Sequence, residues 1–202
     1  MSFHRFVTAC CLLITAHTLS ACGPLVIGGA GATGVAVAQE RTVGRAIDDA
    51  TIHSRILHRF LQTDVNELLP SVGVEVNEGT VLLTGSVEKP ETAITAVKLV
   101  WQVDGVHEVI NEIQVTDRTN IKDFAKDTWI TAQVKSRLIA EKGVASINYS
   151  VETVNGRVYL MGIAQNEQEL ERVVNVTSRV KGVQQVISHV RMKADPRREA
   201  NS

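Results

Sequence analysis

Cysteine is absent from most of this 202-residue chain: the three cysteines are Cys10, Cys11 and Cys22, and none follows. Disulfides and thiolate metal sites are therefore excluded from the body of the protein, and a cysteine-free body suits an oxidising compartment. Aromatic residues make up only 4%. The core must be assembled from Val, Ile, Leu and Ala, which favours small units of sheet and helix. Charge of one sign is also lacking. The formal net charge is −1, so no global basic field marks a nucleic-acid binder, and no nucleic-acid partner is expected. Long apolar segments are scarce too: Val7–Leu19, about 13 mostly apolar residues, falls short of the roughly 20 that a membrane-spanning helix needs.

The longest apolar stretch, Val7–Leu19, has the length of a signal-peptide core, with Arg5 as the only permanent charge before it. It ends in Leu19-Ser20-Ala21-Cys22, which resembles the lipobox of bacterial lipoprotein precursors. In that motif the thiol accepts a diacylglyceryl group and the small residues admit the peptidase. Residues 1–21 are thus expected to be a signal peptide and Cys22 a lipidated residue. Acyl chains contribute about 0.8 kcal/mol per buried methylene, so two or three anchor firmly. Gly23 follows, where an Asp would signal inner-membrane retention by the same resemblance, so the outer membrane is the expected destination.

Residues 22–44 read as a Gly/Ala-rich tether. Within it, Gly29-Ala30-Gly31-Ala32-Thr33-Gly34 matches GxGxxG. A dinucleotide site would need a βαβ unit built on that turn, and none follows.

The body is one pattern written twice. Glycines 79 and 85 map onto 156 and 162 at an offset of 77, as do Val81 and Leu83 onto Val158 and Leu160. The same offset carries Gly105-Val106 to Gly182-Val183, while Asp49, Ile52 and Ile56 match Asp127, Ile130 and Val134 at 78. Each copy predicts α-β-β-α-β. Asp49 or Asp127 is expected to open the first helix, and an apolar residue every fourth position forms its buried stripe. Hairpins are expected at Asn77-Glu78-Gly79 and Asn155-Gly156. Pro90 starts a second helix. Gly105 and Gly182 close the second helices, and strands Val106–Val115 and Val183–Met192 follow. The expected fold class is α+β, each copy a three-stranded mixed sheet with two helices on one face. The first domain spans 45–116, a linker 117–124, the second domain 125–193 and a polar tail 194–202.

Val103-Asp104-Gly105-Val106-His107-Glu108-Val109-Ile110-Asn111-Glu112-Ile113 resembles the signature of the BON domain. Val180–Val190 carries the pattern less completely, with Ser188 where the pattern has Asn. A lipobox followed by two such domains is similar to the dual-BON outer-membrane lipoproteins of the DolP type. The resemblance implies a periplasm-facing, lipid-anchored protein whose second domain binds anionic phospholipid (phosphatidylglycerol or cardiolipin) through its first helix. It further implies a part in outer-membrane integrity, with division sites as a place of concentration. The alternative is a protein-interaction module that docks on outer-membrane assembly machinery without lipid specificity.

No catalytic constellation is found. His53 and His58 are five residues apart and do not share a face as HExxH ligands would. His107 and His189 occupy non-equivalent repeat positions, and all four histidines of the body read as surface residues. Glu167, Glu169 and Glu171 read as a solvated helix face. No nucleophile elbow or phosphate loop is present, so no enzyme, cofactor or metal is expected.

The candidate binding residue is Trp129, about 100° off the buried stripe of its helix, where the first copy has Thr51. Trp suits a bilayer interface, apolar with one N–H donor. Phe124, Lys126, Thr128, Gln133 and Ser136 complete the expected lipid contact, with Lys122 and Lys135 close enough to meet anionic headgroups. Two other placements of Trp129 remain open, between the two domains or at the edge of its own core.

Overall fold

The computed structural model describes residues 40–64, 66–116 and 121–200. Cys22, the expected signal segment and the expected tether up to residue 39 lie outside them, whereas the last residues assigned to the tether, 40–44, are described, and Val43 and Gly44 belong to the first helix. The first lobe comprises α1 (Val43–Thr63), α2 (Leu68–Ser71), β1 (Val72–Asn77), β2 (Thr80–Val87), α3 (Pro90–Trp101), β3 (Glu108–Asn111) and β4 (Gln114–Val115). The second comprises α4 (Ile121–Ala140), a 3-10 turn (Ser146–Asn148), β5 (Tyr149–Val154), β6 (Arg157–Ala164), α5 (Glu167–Ser178) and β7 (Gln185–Met192), and α6 (Pro196–Ala200) follows.

Each lobe is the expected mixed sheet. β1 pairs antiparallel with β2, and β3 parallel with β2; β5, β6 and β7 repeat the arrangement. β3 and β4 are two pieces of the single strand expected over Val106–Val115. Both pair with β2 in one register, Leu83 opposite Asn111 and Ser86 opposite Gln114. The break falls at Glu112-Ile113, where the Asn111 side chain accepts from the Ile113 N–H. The second copy has Ser188 there, and β7 runs unbroken. Helix faces and sheet close two apolar cores, one around Ile56, Phe60, Leu83 and Val100, the other around Ile130, Val134, Leu160 and Val173.

The first helices start earlier than expected. α1 begins at Val43, capped by Thr42, whose hydroxyl accepts from the Arg45 N–H at 3.2 Å. α4 begins at Ile121. Asp49 and Asp127 are therefore not N-caps but buried residues inside helices. Their carboxylates are committed elsewhere. Asp49 accepts from the N–H groups of Glu78 (2.9 Å) and Gly79 (3.0 Å). Asp127 accepts from Asn155 (2.6 Å) and Gly156 (2.9 Å). Both central residues of each hairpin turn have positive φ, 48° and 71° at Glu78-Gly79 and 51° and 75° at Asn155-Gly156. That is the type I′ geometry matching strand twist. It directs two adjacent N–H groups at one point, and a helix-borne carboxylate meets both.

Gly105 and Gly182 do not end helices directly. α3 stops at Trp101 and α5 at Ser178, and the glycines lie in the following loops at φ 90° and 97°. A Cβ there would press on Ile52 or Ile130 of the first helix, about 3.0 Å away.

The two sheets meet back to back, on the faces their helices leave uncovered. Leu82 and Ile110 pack against Val154, Tyr159, Met161 and Ile187. Central strands β2 and β6 are thus buried on both faces. Polar bridges rim this contact. The Gln114 amide donates to the Val154 carbonyl and the Tyr159 hydroxyl, and accepts from the Asn155 amide. His189, expected at the surface, instead meets Glu112 at 3.0 Å. Arg191 reaches Thr80 and Glu108.

The chain's end joins the same contact. Arg198 donates to both carboxylate oxygens of Glu78, and Arg45 donates to one of them at 2.7 Å. Burial alone would raise the Glu78 carboxyl, yet hydrogen bonds from Arg198 and Arg45 hold it below the ordinary glutamate range. A lowered folded-state value contributes stability above the unfolded value, and that contribution is lost as pH falls through the folded one. The thermal midpoint should therefore fall as pH drops below about 4, more steeply than in Glu78→Gln. Parallel acid profiles of the two proteins would exclude this coupling.

Candidate functional site

The outward side of α4 is built by helical period alone. Asp127, Ile130, Val134 and Leu138 recur on the buried side. The remaining arc carries Ala125, Thr128, Trp129, Ala132, Ser136, Ile139 and Ala140, all exposed, with Gln133 half-buried. Trp129 sits near its middle and is 48% exposed. Phe124, 74% exposed, lies five residues away, about 140° around the helix. Phe124 and Lys126 thus edge the arc on opposite sides. No described side chain on the exposed arc is a carboxylate. Both Trp129 and Ile139 present apolar surface that the core does not use.

The expected site residues are therefore only partly brought together. Trp129, Gln133 and Ser136 share a side with Lys126. Phe124 and Thr128 turn toward a cleft between the lobes, and Lys135 faces the same way, its charge felt by Glu152. That cleft encloses about 630 Å³. One wall is α2 with the start of β1; the other is α4 with the edge strand β5. Within it, burial and then the charge of Glu75 raise the Glu152 carboxyl, while Lys135 opposes them.

The acidic face expected on α5 is not uniformly solvated. Glu169 is 2% exposed. Its two carboxylate oxygens accept from the N–H groups of Ala145 (2.8 Å) and Gln165 (2.7 Å), tying the loop after α4 to α5. Its place at the third helical residue behind Asn166, whose side chain accepts from the Glu169 N–H, was the available signal for this local role.

Sequence reasoning missed the cleft because it has no contiguous motif. The signal that existed was the pair of non-alternating central strands, Val81-Leu82-Leu83 and Val158-Tyr159-Leu160-Met161. Apolar residues on both faces mean a second buried surface, and hence two lobes that enclose space at their edges.

The fold and repeat define a known class. The BON-domain family model matches residues 48–117 and 126–194, and the chain belongs to that family, with two BON domains. Its relatives include an uncharacterized protein in the gshII 5' region of Anaplasma centrale, 47% identical over 73% of this chain and 96% of the relative. Outer membrane lipoprotein DolP of Haemophilus influenzae is 31% identical over 84% of this chain and 87% of its own. Osmotically-inducible protein Y of Escherichia coli is 30% identical, covering 75% and 76%. Among the described residues, no helix is long and apolar enough to cross a membrane.

Proposed function

We propose that this protein is an envelope lipoprotein, anchored through acylated Cys22 to the outer membrane, whose second BON domain binds anionic phospholipid along the exposed arc of α4. The observation that carries this reading is the arc itself: Trp129 half exposed, flanked by Ala125, Ala132 and Ser136, with Lys126 at its edge and no described exposed carboxylate. An indole settles at the level of lipid headgroups. Small neighbours let the helix lie close to the surface, and a lysine near an anionic leaflet contributes about 1 kcal/mol. Phe124 and Thr128 would meet lipid at the flank next to the cleft, and Gln133 and Ser136 along the centre. Phosphatidylglycerol and cardiolipin are the expected lipids.

The anchor has support from the Leu19-Ser20-Ala21-Cys22 motif and from the relative named an outer membrane lipoprotein. Two attachments on one chain act at high effective concentration, so each contact can be weak. The outcome would be support of outer-membrane integrity, concentrated at division sites rich in such lipids.

Vesicle co-sedimentation tests the site. The unlipidated Cys22→Ala chain should pellet with phosphatidylglycerol vesicles, and adding Trp129→Glu should weaken this by about tenfold or more, since an exposed aromatic that would enter the lipid interface is replaced by a charge of the headgroups' own sign. Equal pelleting of the two would remove α4 from the lipid contact.

A further inference from the structure

Only the first lobe has an apolar flank on its second helix. On α3, Pro90, Ile94, Val97 and Trp101 follow one another at steps of four, three and four residues, which sets them in one row along the helix. Ile94 is 52% exposed and Trp101 53%, while Pro90 is exposed and Val97 half-buried. At the offset of 77, the second copy has Glu167, Glu171, Val174 and Ser178 on α5. The shared fold therefore does not require Ile94 or Trp101, since polar residues serve at the same places. A contiguous exposed apolar row, unlike scattered apolar residues, marks an interaction surface.

The row borders an edge of the sheet. In the order β1-β2-β3, β3 is an edge strand. α1 packs over β1, and α3 over β2 and β3. Gln102, next after Trp101, is held by Arg59 of α1, which donates to its side-chain and backbone carbonyls at 3.0 Å each. Trp101, about 100° further round the helix, is thereby placed on the side away from α1, toward β3. The residues of β3 are themselves half-buried or exposed.

Charge is distributed to suit one kind of occupant. The positions three and four residues either side of Lys98 are Ile94, Thr95, Trp101 and Gln102. Its exposed ammonium thus lies between the two exposed apolar side chains, with no carboxylate one turn away. Glu91, the acidic residue of α3, sits in the first turn, where it suits the helix N-terminus. The carboxylates of Glu108 and Glu112 are engaged by Arg191 and His189 across the lobe contact. The spacing fits as well. Ile94, Lys98 and Trp101 stand about 6 and 4.5 Å apart along the helix, close to the roughly 6.6 Å between alternate residues of a strand.

We propose that the edge formed by α3 and β3 docks an extended acidic segment of a partner protein. Its backbone pairs along β3, two alternate apolar side chains rest on Ile94 and Trp101, and the carboxylate between them meets Lys98. Strand addition draws affinity from main-chain bonds and selectivity from such side-chain sites. The back-to-back sheets set α3 and α4 on opposite outer sides. A chain lying with α4 on lipid turns this edge toward water, where a protein segment and not a bilayer meets it.

The probe is the capped peptide Thr-Val-Thr-Asp-Thr-Val-Thr, which presents Val, Asp and Val on one face. Titrated into the isotope-labelled Cys22→Ala chain, it should saturably shift the amides of Val109 and Asn111 and the indole N–H of Trp101. The same peptide with Lys for Asp should bind several-fold more weakly, because an exposed attraction becomes a repulsion. A version with Pro for the third residue should not bind, since it cannot complete the strand bonds. Lys98→Glu should reverse the preference between the acidic and basic peptides, which a general loss of structure would not do. Ile94→Glu, the residue of the other copy, should abolish binding of both. Trp129→Glu should leave every titration intact, which separates this edge from the lipid contact on α4. Equal binding of the acidic and basic peptides, or binding of neither, overturns the proposal. So do three other occupants. A second copy would shift these resonances as protein concentration rises without peptide. Phosphatidylglycerol bicelles would shift the Trp101 indole if lipid were the ligand. Residues 22–39 would be the occupant if a chain starting at residue 40 alone showed these signals moved.

Discussion

Replacing Tyr159 by alanine should lower the unfolding free energy by about 4 kcal/mol, the usual cost of deleting a buried aromatic. Tyr159 lies on the face of β6 turned away from its own helices, 1% exposed, against Leu82 and Ile110 of the other lobe. Its hydroxyl accepts from the Gln114 amide at 3.2 Å. The alanine variant therefore empties the middle of the contact between lobes without touching either helix-side core. Tyr159→Phe removes only the hydroxyl and should cost about 1 kcal/mol. Urea unfolding of both separates the two contributions. An alanine variant no weaker than the phenylalanine one would mean that the lobes fold with little mutual support. With the contact weakened, the two lobes should also unfold in separate steps.

The second large effect is expected at Asp127. Asp127→Ala leaves the buried N–H of Gly156 and the part-buried N–H of Asn155 without an acceptor. Each orphaned donor costs about 1–3 kcal/mol, against a gain of about 0.7 kcal/mol at most from placing alanine in a helix interior. A net loss of about 3 kcal/mol follows. Asp127→Asn should fall between, since one amide oxygen cannot serve both donors as two carboxylate oxygens do. Hydrogen exchange at Asn155 and Gly156 should accelerate in both variants ahead of global unfolding. Asp49→Ala should behave alike and in addition leave Arg41 without its carboxylate. A loss below about 1 kcal/mol at either aspartate would show that the type I′ turns hold themselves.

The outward arc of α4 was legible because helix periodicity needs only one chain segment. Ile130, Val134 and Leu138 declare the buried side, and Trp129 declares itself off it. The hairpins were legible for the same reason: turn chemistry at Glu78-Gly79 and Asn155-Gly156 is local. The role of Asp49 and Asp127 was not. An aspartate before an apolar stripe reads locally as a cap, and only the approach of a turn some 29 residues away reveals the carboxylate's true partners.

The amino-acid sequence by itself determined the duplication, the order and type of the five main elements of each copy, α-β-β-α-β, and the face each long helix buries, but not the short helices α2 and α6 or the break between β3 and β4. These follow from spacing and from residue-specific backbone preference, which act over a few residues. Only the tertiary structure decided that the two sheets meet back to back, that Phe124 and Trp129 point to different surroundings, and that Arg41 sits on the carboxylate of Asp49. Those outcomes depend on which apolar faces remain after each lobe has closed its own core, and no local pattern encodes how two such faces turn toward each other.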